Sequence, residues 1–590
     1  MTQKIFILLM INFTISLLFP YSSRAQGIEI PSGGTLTANG TAFISIENGD
    51  LVNNGSYIKG TETIIMSGNI AKSISGSSNT DMNNLSIVNT GGITTQLNLL
   101  IANNLTIASG CKFNIESDKD VTITSNLINN SGSEGGLSIN STVTGTGSLI
   151  HNSNDVPASV KRYIDGTASA WHFLSSPVSN QNINGDWKPS GTYGDGTGYD
   201  LYVWDEAHSC WIYNLNTTVM PTWSNVHPQT DFVPGRGYLY SVQETTPTKQ
   251  FAGNLGNGTI TNDLTIDATG GYKGFSLIGN PYPSSIDWKI ETGFNREMLY
   301  QNGGGYDIWT WSSTADNYGV YNSADTDDNG TNNVSRYIAP MQAFFVHANS
   351  AGSFEFNNQA RVHNGASRWM KVRAEKNVNN NVRLTVNLET GKGSDEVKLN
   401  FGFTANENGA KKMFSNVLSA PSLFLPVGNQ PCSIRYLTDT IENRTIPLSF
   451  KAGINGNYTL KCVYDESVLG TIYLEDNLTG TMTNFRDFTQ YGFAATKNDT
   501  PERFTLHFGS IEQTGNDINA RVYVASQSLI IDMEGLKGEY ETRIMDISGR
   551  QINQSSIIGG QRIAYPLKIR AVYLVNIQSK TAKKIYKVVF

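Results

Sequence analysis

The stretch of this chain whose residue types and spacing come nearest to a metal site is Asp325-Thr326-Asp327-Asp328-Asn329-Gly330. Its D-x-D-x-N-G order sets oxygen ligands at alternate positions, as in loops that wrap Ca²⁺, and the glycine supplies the sharp turn. Arg336 stands at the twelfth position, where an EF-hand carries its bidentate glutamate, and the flanks read as strands. The expectation is therefore a structural Ca²⁺ site at Asp325, Asp327 and Asn329, or an acidic turn with nothing bound, and no other cofactor. Aromatic rings offer a second chemistry, because the apolar face of a sugar stacks on an indole. Trp187, Trp211 and Trp223 are the candidate ligand-binding residues, since they lie outside the repeated motifs described below; the alternative is that they fill a core. Catalysis finds no foothold. There is no H-E-x-x-H and no G-x-S-x-G, and the run 274–279 is one residue too long for a nucleophile elbow. The glycine-rich run 194–198 opens no helix and so offers no phosphate cradle. His172, His347 and His363 have no Cys or carboxylate partner in sequence and read as structural. No catalytic residue is assigned.

Composition bounds the rest. The 590 residues allow several domains; only 16% are charged, 57 are Gly, and the formal net charge of −7 is spread along the chain. Few charges and many turn formers suit an extracellular all-β protein, and without a basic face nucleic acid is not an expected partner. Lys4, the apolar run 5–19 and Ser23-Arg24-Ala25 before Gln26 read as a signal peptide over 1–25, with cleavage between Ala25 and Gln26. No later segment is apolar enough to span a membrane. Cys432 and Cys462 fall in one predicted domain and could pair in an oxidising compartment, whereas Cys111 and Cys210 read as buried small hydrophobes.

The elements that would position these residues are all strands. Over 26–158, Asn83-Asn84-Leu85-Ser86-Ile87 recurs as Asn103-Asn104-Leu105-Thr106-Ile107, then more loosely around Ile123 and Ile139, at steps of 20, 16 and 16 residues. Short strands at such intervals predict a parallel β-helix, whose coils bury their Leu/Ile face only by stacking. Region 159–368 holds eight of the nine tryptophans and reads as a duplication, with copies at about 165–255 and 270–360. Three segments match in order: Phe173-Leu174-Ser175-Ser176-Pro177 with the run from Phe275 to Pro281, the run 199–204 with 306–311, and the run 233–240 with 339–346. A β-sandwich is expected over 369–510, with a short helical turn at 406–413, followed by a polar linker at 511–519. A small all-β module then closes the chain at 520–590.

That last module resembles the C-terminal sorting domain of the Bacteroidetes type IX secretion system. The resemblance rests on Asp546-Ile547-Ser548-Gly549-Arg550, on Val572-Tyr573-Leu574-Val575-Asn576-Ile577 and on the basic final strand from Lys583 to Val589; Ala571 stands where that family has Gly. It implies an Ig-like fold, a sorting signal that includes Gly549, Tyr573, Lys583, Lys584 and Lys587, and the type IX secretion machinery as partner. It also implies an extracellular or outer-membrane-surface destination after Sec-dependent passage through the periplasm. The motifs at 171–177 and 279–283 likewise resemble segments of large Bacteroidetes surface proteins. The expectation is an exported non-enzymatic adhesin or glycan-binding presenter, with a glycan or cell-surface ligand. The alternatives are a polysaccharide-acting enzyme with its site in 159–368 and a purely structural matrix component.

Overall fold

The computed structural model describes residues 22–25, 27–164, 170–187, 189, 200–242, 248–363, 381–389, 391, 393–403, 408–438, 444–465, 469–508, 518, 520–525, 527–534, 536, 538–579 and 583–590. Residues 1–21, Gln26, the 194–198 run and most of the 511–519 linker lie outside the described residues. The chain divides into two compact units, one of residues 1–301, 305–313 and 321–374, the other of residues 302–304, 314–320 and 375–590.

The first unit begins as a three-faced parallel β-helix. Its first face stacks Ser22–Ala25, Phe43–Glu47, Thr63–Gly68, Asn84–Asn89, Leu105–Ile107 and Leu127–Asn129. The second runs from Ile28–Ile30 through Leu51–Asn53, Lys72–Ser75, Ile93–Thr95 and Phe113–Ile115 to Leu137–Ile139. The third holds Thr80–Met82, Leu99–Ile101, Asp120–Ile123 and Ser148–Ile150. Most strands are three to six residues with alternate side chains inward, so each coil contributes one layer of Leu, Ile or Phe to a core that only stacking keeps dry. Asparagines hold the bends: Asn48 Oδ1 accepts from the N–H groups of Asn69 and Ile70, and Asn84 Oδ1 accepts from Asn104 N–H, each one coil further on.

One sequence expectation changes here. Ile64 pairs with Leu85, Leu85 with Leu105 and Leu105 with Leu127, so a coil takes 21, 20 or 22 residues. The 16-residue steps are not coils: Ile123 stacks on Ile101 on the third face, and Ile139 on Ile115 on the second. A hydrophobic pattern alone does not say which face a strand occupies. Ser22–Ala25, within the stretch read as a leader, pairs in parallel with residues 43–46.

Its far end is closed by the aromatic region. Pro157–Tyr163 adds in parallel to the second face and then pairs antiparallel with Thr248–Leu255, so one sheet and one core run from the coils into the Trp-rich region. A terminal coil left bare would expose its apolar layer. In the first copy Ala170–Leu174, Tyr238–Val242 and Asp200–Asp205 form the sheet in that order; in the second, Phe275–Gly279, Ala343–His347 and Gly305–Ser312 repeat it. The copies meet about a pseudo-twofold axis. Leu174 bridges Gln342 while Ile278 bridges Arg236, and Ser175 N–H donates to Met341 O while Gly279 N–H donates to Gly235 O. Gly235 and Met341 follow the prolines of equivalent turns and both have positive φ, 83° and 62°. The register pairs Tyr202 with Leu239 and Trp309 with Phe345, so the counterpart of Trp309 is Tyr202 and that of Trp204 is Trp311.

In the second unit the strands from Asn381 to Phe508 form one continuous sheet around a shared apolar core. Gly409–Lys411, in the stretch expected to turn helically, is instead a strand on Gln430–Leu437. Among the described residues, 521–589 add seven strands in two sheets with a core of their own. The sequence reading missed two of them, Gln551–Ile558 and Arg562–Pro566, whose residues are mostly solvent-facing.

Candidate functional site

Trp187 does not face a ligand. It is 2% exposed. Its ring stacks on Phe251 with centroids 4.4 Å apart and meets Phe232 at 5.1 Å, and its Nε1–H donates to Gln250 O at 2.8 Å. An indole buried with its polar atom satisfied is packing, and this candidate is corrected to core. Trp211 is partly buried beside Trp204, Phe173 and Phe345, at 5.2, 5.9 and 5.9 Å. Trp223, also partly buried, opens the single turn Trp223–Val226 and stacks on His227 at 5.0 Å. The structure therefore does not gather the three indoles into one face-on platform.

The 325–330 loop is a tight hairpin closed by Gly330 N–H to Val334 O and by a bridge between Asn329 and Ser335. Asp325 and Asp327 turn inward, 0% and 6% exposed. Asp328 instead pairs outward with Arg336 at 2.9 Å, and the same guanidinium clasps Asp287. The ion pairs explain why arginine occupies the twelfth position: it holds the hairpin shut. Among the described residues no three His, Cys, Asp or Glu side chains gather as a metal cluster.

One polar constellation was missed in the sequence because its partners are more than 200 residues apart. His363 is hydrogen bonded through Nε2 to Thr122 Oγ1 and through Nδ1 to Ser148 Oγ, each at 2.8 Å, with Asp120 Oδ1 3.6 Å from Nδ1. Arg361, two residues earlier, donates to His151 O and to Asn152 Oδ1 on the last coil. Serine, histidine and aspartate together invite a catalytic reading, but the geometry opposes it. Serine and aspartate approach the same ring nitrogen, so no relay runs from carboxylate through the ring to a nucleophile. Burial and the Arg361 charge push His363 down to about 4, which makes it a weak base at neutral pH. The arrangement is a latch that ties the end of the second copy to the third face of the solenoid. Glu62 of the solenoid is likewise spent on architecture: it accepts from the Tyr57 hydroxyl and the N–H groups of Gly60 and Asn83.

In the tail, Gly549 sits in an exposed turn at φ 84°, which Asp546 closes by accepting from the N–H groups of Ser548 and Arg550. Tyr573 is buried, its hydroxyl donating to Ile569 O at 2.7 Å. Lys583 and Lys587 are exposed on the last strand, Lys583–Val589, and Lys584 is partly so. The four cysteines are free thiols, so Cys432 and Cys462 do not pair; burial pushes Cys462 well above the ordinary thiol range.

Fold and site together define an all-β protein in which a parallel β-helix is capped by a duplicated aromatic module and a separate unit carries further sandwiches. No helix among the described residues is long and apolar enough to cross a membrane. The chain belongs to the family described as "Domain of unknown function (DUF8693)", which matches residues 59–508, from inside the solenoid to the last strand of the large sheet. It is also similar to the "Minor fimbrium subunit Mfa5" of Porphyromonas gingivalis, 24% identical over 389 residues. That alignment covers 61% of this chain and 31% of the relative, so the chain spans about a third of the relative's length.

Proposed function

We propose that this chain is an exported, non-enzymatic protein of the cell surface that builds or presents an adhesive structure. The observation that carries the reading is the similarity to a minor fimbrium subunit. It is supported by the latch geometry at His363 and by buried carboxylates such as Glu62, which hold turns rather than converge in pairs as glycoside hydrolysis requires. Delivery by the type IX route rests on the tail resemblance, with Lys583, Lys584 and Lys587 presented on an edge strand. The test is surface proteolysis of cells expressing the full chain or a chain lacking 520–590. Protease-accessible full chain and retained truncation support the proposal; a truncated chain that still reaches the surface sinks the route, and full-length chain retained inside the cell sinks the location.

For the ligand, a glycan is the proposed class, with Trp211 and Trp223 as the contacts left once Trp187 is assigned to the core. A glycan array with wild type and with Trp211→Ala and Trp223→Ala decides it. Binding lost in either variant supports the lectin reading, and no binding by wild type leaves a structural subunit. A structural Ca²⁺ at the 325–330 loop is kept as a proposal, supported by the inward carboxylates of Asp325 and Asp327. Thermal unfolding with Ca²⁺ and with EGTA tests it: a higher Tm with Ca²⁺ that is lost in Asp325→Asn supports the site, and identical curves refute it.

A further inference from the structure

The large sheet of the second unit buries an amine against a carboxyl. Lys412 directly follows the strand Gly409–Lys411, and its backbone N–H donates to Pro431 O at 2.8 Å, which fixes where the side chain starts. Its Nζ lies 2.6 Å from both Oδ1 and Oδ2 of Asp395, and both side chains are 0% exposed. Two backbone donors grip the same carboxyl: Leu423 N–H reaches Oδ2 at 2.7 Å and Glu396 N–H reaches Oδ1 at 2.9 Å. Val386 faces Asp395 across the ladder, buried Met413 follows Lys412, and the Phe414 and Phe424 rings pack 5.7 Å apart nearby. Keeping two full charges in such surroundings carries a large desolvation cost before their attraction is counted.

We infer that Lys412 and Asp395 condense into an intramolecular isopeptide bond. One proton passes from the Nζ ammonium to the carboxylate, and the neutral amine then uses its lone pair to form the C–N bond at Cγ. Charge that develops on oxygen in the tetrahedral intermediate falls where the Leu423 and Glu396 N–H groups already point, which is the arrangement that stabilises acyl-transfer intermediates. The C–O bond breaks, the departing hydroxyl takes a second proton from nitrogen, and water leaves. An ammonium and a carboxylate give an amide and water, so no co-reactant is consumed. The rate comes from holding the partners in a dry, fixed contact, which replaces a bimolecular encounter. The product is neutral, which removes the cost of the buried charges, and it staples the strand Ser394–Phe401 to the edge strand that precedes Lys412.

The test is a peptide map and intact mass of the purified, denatured full chain beside Lys412→Ala. The expected result is a branched peptide joining Asp395 to Lys412 in wild type, lighter than its two parts by one water, and no such peptide in the variant. Recovery from wild type of separate linear peptides that carry Asp395 and Lys412 in full yield overturns the inference. Wild type alone decides the matter if the variant does not fold.

Discussion

Acid should open the His363 latch. In the fold, burial and Arg361 hold the His363 imidazole at about 4 against an ordinary value of 6.5. Asp120 lies 3.6 Å away and favours the charged ring, but burial and Arg361 outweigh it. The folded state therefore binds fewer protons than the open one below the ordinary value. Latch stability is complete above pH 6.5 and falls as pH drops toward 4. Between pH 7 and pH 4.5 this linkage removes about 2.4 kcal/mol from the local closing free energy, roughly a sixtyfold rise in the open population. Hydrogen exchange read at Ser148–Ile150 and Asp120–Ile123, corrected for intrinsic rates, reports that opening directly. His363→Asn keeps one hydrogen bond and removes the titration. Its strands exchange faster than wild type at pH 7, because a buried hydroxyl loses its partner at about 1–3 kcal/mol. The gap then narrows at pH 4.5, where wild type pays for protonation and the variant does not. A gap of constant size at the two pH values would refute the assignment of acid sensitivity to this ring.

Three other perturbations test the packing argument. Gly235→Ala forces a side chain onto a residue at φ 83° and sets its Cβ 2.6 Å from Asn262 Nδ2, so the melting temperature should fall by the equivalent of about 1–2 kcal/mol. Arg503→Met strands Asp476, 0% exposed and held by the Arg503 Nε and Nη2 donors; denaturant unfolding should lose roughly 3–5 kcal/mol, and adding Asp476→Leu should recover much of it. Trp187→Ala should cost about 3–5 kcal/mol in thermal unfolding and leave any glycan binding unchanged in the folded fraction, whereas a ligand contact would lose binding at full stability.

What could be read from the sequence was what is local in it. The solenoid was legible because each coil repeats the same short act, an apolar residue at every second position followed by an asparagine bend, and 20–22 residues are enough to display it. The duplication was legible for a related reason: the Pro234-Gly235 and Pro340-Met341 turns and their flanking strands must fit the same pseudo-twofold contact, so both copies keep the same order of motifs. The face assignment was not legible, because Ile107, Ile123 and Ile139 look alike in sequence while stacking depends on how many residues each corner consumes. Trp187 shows a second limit. Tryptophans outside the matched motifs look free to serve a ligand, yet Trp187 is buried on Phe251 of Thr248–Leu255, just as Trp288 is buried on Phe354 in the second copy. The polar constellations lie beyond any local signal. His363 meets Ser148 across 215 residues, and Lys412 meets Asp395 only after an expected helical turn becomes an edge strand. In both cases the residues carry no motif, and their chemistry comes from being brought together and dried by the strands around them. In a protein built from many short strands, chemistry of this kind follows from topology, and reading it requires knowing which strands are neighbours.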